Sequence, residues 1–178
     1  MNSIQLKNGQ TVLLREAVKE DAPELVTYLH KIGGESDFLT FGYGELSVAV
    51  NDEEALLEDS RKAQNKIMIL ALVGEKIIGN LHFTGGVRAR IQHTGEFGVS
   101  ALKDYWNQGL GTVMVQELIQ WAKASNVIRK LNLRVRSDNE SAIRVYEKLG
   151  FIKEGSITRE FYSSGQFYDS IHMGLCID

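Results

Sequence analysis

One cysteine, one proline, a small net charge and no long apolar run limit what this 178-residue chain can be. The lone Cys176 excludes an internal disulfide framework and fits a reducing compartment. Its strand-like setting, Ser170-Ile-His-Met-Gly-Leu-Cys-Ile, predicts a small buried apolar residue and not a nucleophile. Pro23 stands alone, so there is no Pro-rich linker to divide the chain, and residues 1–178 are expected to form one domain. No apolar stretch reaches membrane-spanning length. The opening Met1-Asn-Ser-Ile-Gln-Leu-Lys lacks the regions of a signal peptide, so a cytoplasmic protein without a membrane partner is expected. A net charge of -3 gives no basic footprint for nucleic acid. What is present is ordinary for a globular protein: 43% apolar and 24% charged residues.

The pattern alternates strands and helices. Val12 to Ala17 reads as a strand, preceded by a turn at Asn8-Gly9. Asp21-Ala-Pro-Glu predicts a helix start, with Asp21 capping and Glu24 completing a capping box. Leu25, Val26, Leu29 and Ile32 follow at helical spacing until Gly33-Gly34. A second helix is expected over 52–64, with Ala55, Leu56 and the stem of Arg61 inward. Three strands follow, at 67–73, 77–83 and 92–102, as an antiparallel meander. Then come a helix over 110–124 with one apolar stripe, a strand at 131–135, a short helix over 139–149 and two closing strands. The helix between the third meander strand and the strand at Leu131 implies a parallel crossover. The fold class is therefore α/β, a mixed and mostly antiparallel central sheet with helices on both faces.

The chemistry concentrates in Glu96-Phe-Gly-Val-Ser-Ala-Leu-Lys-Asp-Tyr-Trp-Asn-Gln-Gly-Leu-Gly-Thr. Here a strand ends, a loop with two spaced glycines follows, and a long helix begins. Glycines allow close backbone approach, and free amides at a helix start favour an anion such as a pyrophosphate. A P-loop would need Lys-Ser or Lys-Thr after its glycines, and the dinucleotide fingerprint a third glycine. Thr112-Val113-Met114 supplies neither.

A second segment runs Leu131-Asn-Leu-Arg-Val-Arg-Ser-Asp-Asn-Glu-Ser-Ala-Ile-Arg-Val-Tyr-Glu-Lys-Leu-Gly-Phe. It places Asn139 at a strand-to-helix junction and Tyr146 two turns into the helix. Together the two segments resemble the GCN5-related N-acetyltransferase (GNAT) superfamily, in element order over nearly the whole chain and in motif from about Glu96 to Phe151. The resemblance implies acetyl-CoA as co-substrate, no metal, and an acceptor amine that is a small molecule or a peptide. Among bacterial members it is similar to the ribosomal-protein N-terminal and L-amino-acid acetyltransferases, with polyamines or an antibiotic amine as alternative acceptors because the shared motifs read coenzyme A and not the acceptor.

The resemblance also implies roles. Asn107, Gln108, Gly109, Leu110, Gly111 and Thr112 would hold the pyrophosphate through their backbone, with Trp106 where the family motif has Gln or Arg. A bulge in the preceding strand would free the amides of Val99 and Ala101 for the thioester carbonyl, stabilising a tetrahedral intermediate. Tyr146 would protonate the departing thiolate, and Asn139 would bond the pantetheine arm, cap the helix, or both. Glu96 is the candidate base, made stronger by burial among apolar strand residues, and His93 is its competitor because an imidazole ordinarily titrates near neutrality. A surface ion pair is the plain alternative for Glu96. Arg88, Arg90 and Arg129 are candidates for the adenosine phosphate. Phe38, Phe41 and Tyr43, with His93, are expected to line the acceptor site, and the hairpin near Tyr162 to Tyr168 is a second wall. A homodimer through sheet edges or the C-terminal strands is a further expectation by family analogy. The rival to an enzyme is a non-catalytic coenzyme A-binding regulatory or sensor module.

Overall fold

The computed structural model describes residues 2–178. The chain runs β1 (Asn2–Gln5), β2 (Thr11–Glu16), α1 (Ala22–Gly33), α2 (Val50–Lys62), β3 (Lys66–Val73), β4 (Lys76–Gly85), β5 (Thr94–Ala101), α3 (Leu110–Ala124), β6 (Lys130–Arg136), α4 (Glu140–Lys148), β7 (Ile152–Ser163) and β8 (Gln166–Cys176). The strands form one sheet in the order β1-β2-β3-β4-β5-β6-β8-β7. Among the described residues only β5 and β6 pair in parallel, because α3 carries the chain back between them.

Helices cover both faces, and the register shows why. Successive strand residues point to opposite sides. A Cβ on Gly79 would meet Met114 and Leu110 of α3. The next residue, Asn80, is paired with Ser100, whose hydroxyl lies 2.8 Å from that of Tyr28 on α1. So α1 and α3 lie on opposite faces. Covered on both sides, β3 is an unbroken apolar run rather than an alternating one.

Three local expectations are corrected. Asp21 does not cap α1. Its carboxylate accepts both guanidinium N–H groups of Arg15 at 2.6 Å and the Val18 amide at 2.8 Å. Burial alone would raise its pKa, but these donors outweigh that and hold it below the ordinary carboxylate value. Glu24 likewise turns outward from its helix, accepting from the Ile77 amide. On α2, Ala55, Leu56 and Arg61 are exposed, and Glu53, Leu57 and Ser60 are buried instead. Adjacent leucines on a helix lie about 100° apart, so only one can face the core. Cys176 is exposed: alternation sends Met173, Leu175 and Ile177 one way and this last residue of β8 the other.

Candidate active site

A wedge opens in the sheet between β5 and β6. Their pairing covers only Thr94↔Lys130, Gly95↔Leu131 and Glu96↔Asn132. The Asn132 side chain pins this closed end, donating to Thr94 Oγ1 at 2.8 Å and to the Gly95 carbonyl at 3.1 Å. Beyond it β5 runs on to Ala101 and β6 to Arg136 without pairing. The Leu102 amide donates to the Ile78 carbonyl, so every second residue from it turns its backbone toward β4. Val99 and Ala101 therefore aim their N–H groups the other way, into the wedge. No bulge is needed: β4 and β5 stay in register from Gly79↔Ala101 to Gly85↔Gly95. The expected bulge is absent, and the amides are freed by the departure of β6.

The wedge leads into the loop before α3. Trp106 braces this loop, its indole N–H donating to the Ala101 carbonyl at 2.7 Å. Asn107 and Gly109 take left-handed backbone, at φ 60° and 89°, and Gly109 caps α3. No side chain caps this helix start, and its first turn has no acidic residue. The first helical bond runs from the Val113 amide to the Gly109 carbonyl, so the amides of Leu110, Gly111 and Thr112 have no helical partner. A Cβ on Gly111 would touch nothing within 4 Å. These are the properties of a cradle for a diphosphate: open space, free donors and the positive end of a helix dipole. The Val99 and Ala101 amides and the uncapped start of α3 are thus free backbone donors carried by one strand–loop–helix connection.

The two sides of the wedge differ. On the α3 side Phe97, Tyr146 and Phe151 pack edge to face, with ring centroids 5.6–6.0 Å apart. This places Tyr146 beside the strand that carries Val99. Burial pushes its phenol up to about 12, and its hydroxyl makes no hydrogen bond among the described residues. Asn139 caps α4, accepting from the Ala142 amide at 3.2 Å.

The other side is polar. Arg134 of β6 binds Glu96 and Glu160, each at 2.8 Å. Glu160 also accepts from the Ser170 hydroxyl. It reaches inward because β7 carries extra residues between Ile157 and Phe161, with Arg159 at φ 55° and its amide held by Asp169. Arg136 is buried, bidentate to Asp138, and stacked between Phe38 at 4.4 Å and Tyr168 at 4.0 Å. It also donates to the Asp37 carbonyl at 2.8 Å, tying the α1–α2 loop to the sheet.

Several expected site residues are brought together and others are not. Glu96 stands at the closed end of the wedge, in its last β5–β6 pair, but its side chain is 46% exposed and ion-paired, not buried among apolar residues. The reason is register: opposite it on β4 is Thr84, and across the wedge is Arg134. His93 lies beyond the closed end, where its carbonyl receives the Arg129 and Lys130 amides, and its exposed side chain is remote from Tyr146. Phe38 joins the polar wall, Phe41 packs on the core, and Tyr43 is 80% exposed beside Gly34. Arg129 is spent on the carbonyls of Ser125, Asn126 and Ile128, and Arg88 and Arg90 sit in the β4–β5 turn, far from the cradle. Sequence reading missed Arg134, Arg136, Glu160 and Tyr28 altogether. Of the two expected acceptor walls, only the aromatic pair Phe38 and Tyr168 could have hinted that they meet on one arginine.

Residues 34–151 match the family model described as Acetyltransferase (GNAT) family. A solved acetyltransferase of the GNAT family from Streptococcus pneumoniae is 36% identical, with a TM-score of 0.90 over 94% of this chain and 99% of that one. The spermidine N(1)-acetyltransferase of Escherichia coli K12 is 26% identical over 94% of this chain and 87% of its own length. The L-amino acid N-acetyltransferase AaaT of the same organism is 27% identical over 59% of this chain, and the match spans 65% of that relative. With the uncapped α3 loop, the freed β5 amides and Tyr146 all falling within or beside the matched span, the chain belongs to the GNAT acetyltransferase family.

Proposed function

We propose that this protein transfers the acetyl group of acetyl-CoA to a primary amine, acting as one N-acetyltransferase domain over residues 1–178. The observation that supports this reading is the set of free backbone donors on one connection, the Val99 and Ala101 amides and the uncapped start of α3. Residues 107–112 hold the diphosphate, and Val99 and Ala101 hold the thioester oxygen as charge develops on it. Tyr146 serves the leaving sulfur from the aromatic side. The amine enters from the polar side, where the Glu96 and Glu160 carboxylates attract a cation and the Phe38–Arg136–Tyr168 stack forms the wall. Spermidine, L-amino acids and an alanine-first peptide are the acceptors to try, as the relatives' names suggest. The protein is cytoplasmic in this reading, in keeping with a free, exposed Cys176 thiol. Homodimer formation is supported by the edge strand β7, which exposes Ile152 and Ile157.

Isothermal titration with acetyl-CoA, run beside ATP and NAD, tests the cofactor. Micromolar binding of acetyl-CoA alone followed by amine acetylation is the expected result. Binding without transfer to any amine would favour the sensor module, and no binding would end the acetyltransferase reading. The arginine stack has its own test. Arg136→Met removes the bidentate pair with Asp138 and the bond to Asp37, freeing the α1–α2 loop. The KM for the amine is expected to rise at least tenfold while the Kd for acetyl-CoA stays within twofold, which steady-state kinetics and titration separate.

A further inference from the structure

We infer that His82, on β4, is the group that takes the proton from the acceptor amine; this rests on the acetyl-transfer reading above. His82 is paired with Gly98, the residue between Glu96-Phe97 and Val99. Its imidazole lies over that glycine: Cε1 is 2.7 Å, Nε2 3.3 Å and Nδ1 3.5 Å from the position a Cβ there would take. Any side chain at position 98 would displace the ring. The ring is on the polar side of the sheet, since Gly98 shares that side with Glu96 and Ser100 and not with Phe97. The residue keeps one face open to solvent although protein crowds the ring over Gly98, and the imidazole makes no hydrogen bond to the protein among the described residues. A base free of structural duties, open to an incoming ligand and one residue from an oxyanion-holding amide is placed for this task. Neither base expected from the sequence is so placed, because Glu96 is engaged by Arg134 and His93 lies beyond the closed end.

The surroundings agree with the role. The bulk of protein around the ring lowers its pKa from the ordinary 6.5, and the Glu96 charge opposes this in part. His82 is thus neutral, and able to accept, at physiological pH. The titratable and charged groups on this side are Glu96 of β5, neutral Tyr28 of α1 with Glu35 beside it, Arg134 of β6, Glu160 of β7 and His172 of β8, and of these the Glu96 charge is the one that acts on the imidazole. In the reaction the imidazole takes one proton from the ammonium and passes it to water. The nitrogen lone pair then forms the C–N bond, the C–S bond breaks with its electrons on sulfur, and the second nitrogen proton goes to the imidazole. Tyr146 supplies the sulfur with a proton and is refilled from solvent. One proton is released per turnover.

The test compares wild type, His82→Gln and Glu96→Gln across pH 5 to 9. It uses acetyl-CoA with whichever of spermidine, the common L-amino acids and an alanine-first peptide the wild type acetylates. For His82→Gln, kcat is expected to fall roughly 100-fold and the acidic limb of the kcat profile to vanish, with the Kd for acetyl-CoA unchanged. In Glu96→Gln that limb moves to lower pH, because the charge that raises the imidazole's pKa is gone. Unchanged kcat in His82→Gln with its acidic limb intact would overturn the inference, as would loss of the limb in Glu96→Gln and not in His82→Gln. Equal acetyl-CoA affinity in all three shows that the variants are folded. Acetylation by the wild type separates a failure of His82 from a failure of the acetyl-transfer reading, which would show as no transfer at all.

Discussion

Gly111→Glu is expected to weaken acetyl-CoA binding by roughly 100-fold, about 2.8 kcal/mol, while leaving the fold intact. Position 111 lies in the first turn of α3, where nothing of the protein stands within 4 Å of a would-be Cβ. A side chain is therefore tolerated by the protein and is felt only by what enters the cradle. A carboxylate there occupies the anion's space and satisfies the helix dipole in its place. Each charge-assisted bond from a backbone amide to a phosphate contributes about 1.5–3 kcal/mol, so losing one or two accounts for the size of the effect. Gly111→Ala sharpens the experiment. Alanine favours a helix over glycine by up to about 1 kcal/mol, so this variant is expected to melt no lower than wild type and yet bind acetyl-CoA less well. Thermal melting and titration of the same samples read the two effects separately. Undiminished affinity in both variants would mean that the ligand's phosphates do not approach the helix start, and the cradle would have to be sought elsewhere.

That cradle was legible in the sequence because its determinants are local. Glycines at 109 and 111, just before an apolar stripe of period 3.6, specify a left-handed cap and an open helix start whatever the rest of the chain does. The stripe itself, through Leu110, Met114, Leu118 and Ala122, is buried as its spacing requires. The polar side of the wedge is different, since its parts meet only through register. Glu96 reads as a buried base in isolation, and becomes an ion pair because β6 sets Arg134 beside it. Glu160 reaches the same arginine through the extra residues between Ile157 and Phe161 of β7, which leave no clear mark in the sequence. His82 reads as one more strand residue until the pairing of β4 with β5 places a glycine under its ring. Long-range pairing decided these contacts, and a hydrophobic pattern carries little information about it.

Tyr146→Phe is the second large effect, an expected fall in kcat of about 100-fold, at the low end for general-acid catalysis. Two facts set the size. A thiol has an ordinary pKa near 8.5, so its thiolate leaves more readily than an alkoxide and needs the proton less. Burial holds the Tyr146 phenol at about 12, so it is a weak acid and acts first as an O–H donor to charge growing on sulfur, the proton crossing late. The phenyl ring of the variant keeps its contacts with Phe97 and Phe151, and the lost hydroxyl had no hydrogen-bond partner among the described residues. Stability near neutral pH is therefore expected to change little. Alkaline pH separates the two proteins. Above pH 10 an unfolded tyrosine loses its proton while buried Tyr146 keeps its own, so the unfolded state binds fewer protons and stability falls as pH rises from 10 to 12. The phenylalanine variant lacks that contribution and should lose less stability across this window in urea titrations. In the wild type the phenol stays protonated through the assayable range, so no alkaline loss of kcat near pH 10 is expected from it. Were kcat to remain within twofold in Tyr146→Phe, the sulfur would leave as a free thiolate, and the aromatic side of the wedge would serve to exclude water and pack the pantetheine arm.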